Sequence, residues 1–263
     1  SVVVGGGVDP AAQIRIPLAM MSRHGLVAGA TGTGKTKTLQ VIAEQLSANG
    51  VPVLMADFKG DLSGLSRPGE AGEKVAERAK DTGDEWVATP FPVEFLSLGT
   101  GGIGVPVRAT ISAFGPILLS KVLGLSQTQE SSLGLIFHYA DQQGLPLLDL
   151  KDLRSLISFL TNTDEGKAQL KSIGAVSSQT AGVILRALIN LEAEGGDTFF
   201  GEPELDPADL LRVDAQGRGV ITLFEVGDQA SRPVMFSTFL MWVLADLFSY
   251  LPEVGDVEKP KLV

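Results

Sequence analysis

No cysteine occurs in the chain. Disulfides and thiolate metal sites are therefore excluded, and the composition suits a cytoplasmic setting. Histidine is almost as scarce: His24 and His138 are the only two. Their separation in sequence argues against a histidine metal cluster. Basic residues are outnumbered, 21 Lys and Arg against 31 Asp and Glu, giving a net charge of −10. That balance rules out a uniformly basic nucleic-acid binder, though not a basic channel on one face. The opening "SVVVGGGVDP" has neither a basic n-region nor a long apolar core, so no signal peptide is expected. Long apolar runs are also rare. The most apolar, "PVMFSTFLMWVLADLFSYL", is interrupted by Ser237, Thr238, Asp246 and Ser249. It reads as a buried helix, with no membrane partner expected. No internal repeat or low-complexity tract is present.

What is there suits an α/β protein. The 263 residues, 44% hydrophobic and 20% charged, can fill one large domain or a core with an insertion. Leader strands run into Pro17, and "GLVAGA" reads as a short strand entering a glycine loop. Leu39, Ile42, Ala43 and Leu46 then recur at helical spacing until Asn49-Gly50. "VPVLMADF" follows as an apolar strand of the kind covered on both faces. This strand–loop–helix–strand unit implies a parallel pair. Residues 85–111 read as strands and turns. From Ser112 to Glu194 the pattern turns helical: Ser126 with Gln129 forms a capping box opening a helix to Gln143, and Asp149 opens another to about Leu160. "SSQTAGVILRALINLEAEGG" gives a further helix. After an acidic loop from Asp197 to Asp214, "GVITLFEV" is a strand, the apolar helix packs over the sheet, and "KPKLV" begins one more strand.

The glycine loop carries the chemistry. Gly29, Gly34, Lys35 and Thr36 match G-x-x-x-x-G-K-[ST]. Glycines let successive N–H groups turn inward around phosphates, and the following helix presents its positive end. Gly29, Thr31, Gly32, Thr33, Gly34, Lys35, Thr36 and Lys37 are the expected nucleotide contacts. Lys35 reaches the β- and γ-phosphates, and the Thr36 hydroxyl ligates Mg²⁺.

A carboxylate for Mg²⁺ and water is harder to find. Two strands end in acids, "VLMAD" at Asp57 and "ITLFE" at Glu225. Asp57 has two readings: a group at the ligand end of a parallel sheet, or the opening residue of a turn closed by Gly60. Glu225 reads more simply as a strand-end acid near the next helix.

"SRHGLVAGATGTGKT" and "VLMADFKGDLSGL" resemble the HerA/FtsK branch of P-loop ATPases, and more closely a family of bacterial HerA-like ATPases. "TPFPVEF", "PVRATIS", "GGDTFFGEPELD" and "LPEVGDVEKPKLV" resemble the same family, so the likeness spans nearly the whole chain. It implies a RecA-like P-loop NTPase core with a mostly parallel sheet: residues 1–111, a helical insertion at 112–195, and a continuation of the core at 196–263. In that family the strand begun by "KPKLV" runs on into an Asp-Glu pair that organises Mg²⁺ and water. The resemblance therefore implies a working pair beyond Val263 and a truncated or partly given chain. It also matches Arg23 to an arginine that enters the neighbouring subunit's site. Arg23 lies roughly 15 Å from its own phosphates at about 3.3 Å per residue, so it could act only in trans. The other reading of Arg23 is an exposed arginine paired with a nearby acid.

Three functions compete. The first is a ring-forming, hexameric ATP-hydrolysing motor acting on DNA, with Lys35, Asp57 and Arg23 as catalytic residues and ATP and Mg²⁺ as cofactors. The second is a small phosphotransferase with a helical lid. Such lids need several arginines for phosphates, and the helical block offers only Arg154 and Arg186. The third is a nucleotide-binding scaffold with little turnover. The block's Lys151, Arg154, Lys167 and Lys171 read as a solvated face.

Overall fold

The computed structural model describes residues 2–6, 13–98, 103–225 and 233–263. Two leader strands, β1 (Val2–Gly6) and β2 (Gln13–Ile16), pair antiparallel. Helix α1 (Lys35–Ala48) ends at Asn49 and the left-handed Gly50, and the chain turns back into β3 (Val53–Asp57). Helix α2 (Glu73–Thr82) precedes β4 (Val93–Leu98) and β5 (Val105–Val107). Five helices follow: α3 (Ile111–Leu123), α4 (Gln127–Gln142), α5 (Leu150–Asn162), α6 (Asp164–Ile173) and α7 (Ser178–Ala193). The chain then returns through β6 (Ile221–Glu225) to α8 (Pro233–Tyr250).

Strands β3, β6, β4 and β5 lie in that order in one parallel sheet. Every residue of β6 is buried, as a continuous apolar strand covered on both faces must be. Its alternation separates two cores. Ile221 and Leu223 pack with Ala43 and Leu46 of α1 and with Val2. Phe224 joins the larger core of α3 to α8, its ring 6.0 Å from that of Phe239. Helix α1 thus covers one face, and the helical block with α8 covers the other. By the two-residue period, Asp57 and Glu225 share the α1 face with Val53 and Ile221.

The helix starts follow the sequence signals. Ser126 and Gln129 form the capping box of α4, and Asp149 caps α5 through the N–H groups of Lys151 and Asp152. Helix α6, not expected as a separate helix from the sequence, is capped by Thr163, whose hydroxyl accepts from the Gly166 N–H. Helix α3 is kinked at Gly115 (φ 76°), where Pro116 removes a helical donor.

Three expectations change. "GLVAGA" is not a strand: residues 24–30 are irregular, and Leu26 is 89% exposed. A strand exists only by pairing its backbone, and no described strand pairs with this segment. The outer edge of β3 receives Val263 instead. Val263 N–H donates to the Pro52 carbonyl at 3.2 Å and its own carbonyl accepts from Leu54 at 2.9 Å, the slanted pattern of a parallel pair. Among the described residues, Val263 is the one residue of "KPKLV" whose backbone pairs with β3. Finally, α8 is buried on one face only. Phe239, Trp242 and Val243 enter the core, while Val234, Met241, Leu244 and Phe248 are exposed at helical spacing. By length and composition alone it could cross a membrane. Residues 99–102, within the turn expected after β4, lie outside the described residues.

Candidate functional site

The loop before α1 is held by its backbone and by one carbonyl. Gly32 (φ 82°) and Gly34 (φ 94°) adopt left-handed conformations, which an L side chain occupies only with strain. Gly34 is the N-cap of α1. Inside the loop, the Ala30 carbonyl accepts from Thr33 N–H at 3.3 Å, Thr33 Oγ1 at 2.8 Å and Lys35 Nζ at 2.8 Å. Gly29 leaves room for this knot, since a Cβ there would come 2.5 Å from Thr33 Oγ1.

Above the knot the donors are free. Among the described residues, the backbone N–H groups of Gly32, Gly34, Lys35 and Thr36 have no acceptor. They gather where the partial positive charge of α1 emerges. Thr36 Oγ1 also makes no hydrogen bond among the described residues. Thr31 is exposed. Free N–H groups, a hydroxyl and an ammonium at a helix start form a donor set that fits a polyphosphate with its divalent cation. Lys37 is placed differently. Its Nζ donates to Gln40 Oε1 at 2.8 Å, turning down the flank of α1.

Asp57 has its carboxylate bound by the chain that follows. Oδ1 accepts from Lys59 and Gly60 N–H at 3.1 and 2.8 Å, and Oδ2 from Leu62 N–H at 3.0 Å. The side chain is 3% exposed. This is the geometry of the turn. Glu225, also buried, accepts from Ile103 N–H at 2.9 Å. The parallel register sets Asp57, Glu225 and Ser97 on one rung at the C-terminal end of the sheet. In parallel sheets that end faces ligands.

Arg23 is exposed and forms no ion pair among the described residues. His24 is exposed beside it. Sequence reasoning missed the flank of α1, where Gln40 is buried and Glu44 half-buried. The signal available was a polar residue at i, i+3 and i+7 on one helix face.

A family profile described as "Helicase HerA-like C-terminal" matches residues 6–263. The comparison with curated proteins found no match. Among solved structures, the chain is similar to a bacterial conjugative coupling protein, TrwBdeltaN70, in an unbound monoclinic form. The identity is 17%, the TM-score 0.51, and the match covers 97% of this chain and 57% of that one. It is also similar to the plasmid coupling protein TrwB in complex with ADP and Mg²⁺, with 17% identity, a TM-score of 0.48, and coverage of 86% and 52%. The chain spans a little over half the length of these coupling proteins. The likeness is one of fold: a RecA-like α/β core with a parallel sheet and a P-loop.

Proposed function

The chain belongs to the Helicase HerA-like C-terminal family, and from that premise we propose that it binds ATP with Mg²⁺ and works within an ATP-hydrolysing motor. The observation that carries the reading is the set of N–H donors at the start of α1 that have no acceptor among the described residues, beside Lys35 and Thr36. Bound triphosphate would draw Lys35 off the Ala30 carbonyl, and Thr36 would hold Mg²⁺. Mg²⁺ held at Thr36 would supply positive charge against the charge that develops on the phosphoryl group.

DNA is the proposed substrate of that motor and a head-to-tail ring its assembly. An exposed Arg23 with no ion pair among the described residues supports the ring, because such interfaces let each subunit give one arginine and receive one. In this reading residues 112–195 are an insertion on a core made of residues 1–111 and 196–263.

One observation favours a second reading, a nucleotide-binding scaffold. Both strand-end acids of the described residues, Asp57 and Glu225, are engaged by backbone N–H groups. Phosphate release measured with and without DNA, on the native protein and its Lys35→Ala variant, separates the two. Turnover that DNA stimulates and Lys35→Ala abolishes supports the motor. Lys35-dependent ATP binding without turnover supports the scaffold.

A further inference from the structure

A second cleft lies on the flank of α1, outside the phosphate loop, with a volume of about 430 Å³. Lys37, Gln40 and Glu44 form one wall, and Arg67 and Trp86 also line it. Gln40 is 6% exposed and engaged at both ends, Oε1 accepting from Lys37 Nζ at 2.8 Å and Nε2 donating to the Asp61 carbonyl at 3.1 Å. The wall is thus built, not a loose solvent-facing ridge. The Trp86 indole packs on Gly69, where a Cβ would come 3.1 Å from the ring, and the side chain is still 39% exposed.

Glu44 stands apart from its neighbours. It is half-buried and makes no hydrogen bond or ion pair among the described residues. Burial raises its carboxyl above the ordinary range, Lys37 opposes that shift, and Asp84 adds to it. Leaving a half-buried carboxylate without a donor is unfavourable, and a ligand bringing N–H groups would relieve it. The Arg67 guanidinium likewise has no acceptor among the described residues.

An exposed aromatic face, an undonated carboxylate and a free guanidinium around one cleft match the parts of a nucleotide. The aromatic stacks a base, the carboxylate accepts its N–H groups, and the guanidinium takes a phosphate. Among the four bases, only guanine presents two adjacent N–H donors on its pairing edge, and a carboxylate can accept both at once. Thymine presents a single N–H flanked by carbonyls. We propose that this cleft binds a guanine nucleotide unit, with its base stacked on Trp86, its paired N–H groups donating to Glu44 and its phosphate on Arg67. Free nucleotide and a guanine within a single strand offer the same chemistry.

The test uses the Lys35→Ala protein, so that binding at the phosphate loop does not contribute and the proposal stands or falls apart from the motor reading. Calorimetric titration with deoxyguanosine monophosphate should show saturable binding, tighter than with thymidine monophosphate. Adding Glu44→Gln or Trp86→Ala should each weaken it by at least about fivefold, whereas Trp86→Phe should keep most of it. Thermal melts check that each variant is folded, and Glu44→Gln preserves shape if Trp86→Ala does not fold. A short thymine strand carrying one guanine is the second arm. Tighter binding than the mononucleotide assigns the cleft to a strand, and weaker binding assigns it to free nucleotide. The proposal is overturned if neither guanine probe binds at millimolar concentration. It is also overturned if thymidine monophosphate binds equally well, or if Glu44→Gln leaves affinity unchanged.

Discussion

Asp57 and Glu225 face one another across β3 and β6 on the same rung of the sheet, yet their carboxylates serve different segments. Asp57 closes the turn after its own strand through three N–H groups, the last from buried Leu62. Glu225 reaches across to the segment before β5 and accepts from Ile103. The pair therefore ties two loops to the C-terminal end of the sheet.

Asp57→Asn should destabilise the fold by about 1–3 kcal/mol, because the amide nitrogen cannot accept and a buried N–H or its neighbour loses its partner. Denaturant melts measure this directly. Nucleotide affinity should stay within a few-fold. Unchanged stability together with lost turnover would instead place Asp57 at the phosphates.

The phosphate loop invites a double-mutant cycle. A Cβ at Gly29 would collide with Thr33 Oγ1, pushing that hydroxyl off the Ala30 carbonyl. Gly29→Ala should weaken ATP binding on the order of fivefold, one hydrogen bond's worth. In a Thr33→Ala background the same change should have a smaller effect, since the first clash is gone. Additive losses would mean that Gly29 matters for phosphate contact rather than for Thr33.

Asp246 gives a pH-dependent case as the charged residue of α8. Burial raises its carboxyl above the ordinary value, and Glu204 and Asp206 add to the shift. A raised folded-state value means that the folded protein holds this proton more tightly than the unfolded chain. The group's contribution to stability is therefore largest below its unfolded pKa and is lost as pH rises through the folded one. Asp246→Asn should raise the melting temperature at neutral pH, and the gain should vanish in strong acid. A gain that persists in acid would point to packing instead of charge.

The parts of this fold that were legible in sequence are those set by local rules. Ser126 with Gln129 and Asp149 announced their helices because caps act within one turn, and the helical spacing of Leu39, Ile42, Ala43 and Leu46 announced α1. Residues 24–30 misled because an apolar run signals a strand only if a partner edge meets it, and pairing is non-local. The exposed face of α8 was hidden for a similar reason: Leu244 and Phe248 look like core residues, and only packing shows that they are exposed. At the site, the glycine pattern gave the loop. The destination of each side chain was not written there. Lys37 follows Thr36 in sequence, yet Gln40 draws it to the flank of the helix.

Arg23 tests the assembly. Exposed and without an ion pair among the described residues, it should contribute little to stability, so Arg23→Ala should melt as the parent does. If it serves a neighbour's nucleotide, the variant should bind ATP normally and lose on the order of 10³ in turnover. Lys35→Ala, by contrast, should lose binding in its own loop while keeping an intact Arg23 to lend. Mixing the two inactive proteins should then restore part of the hydrolysis, because some interfaces join the intact loop of one to the intact arginine of the other. The rescue should rise with protein concentration, as subunit exchange requires. A mixture that stays inactive while sedimentation shows mixed oligomers would remove Arg23 from the site. The coordination of neighbouring subunits would then need another residue.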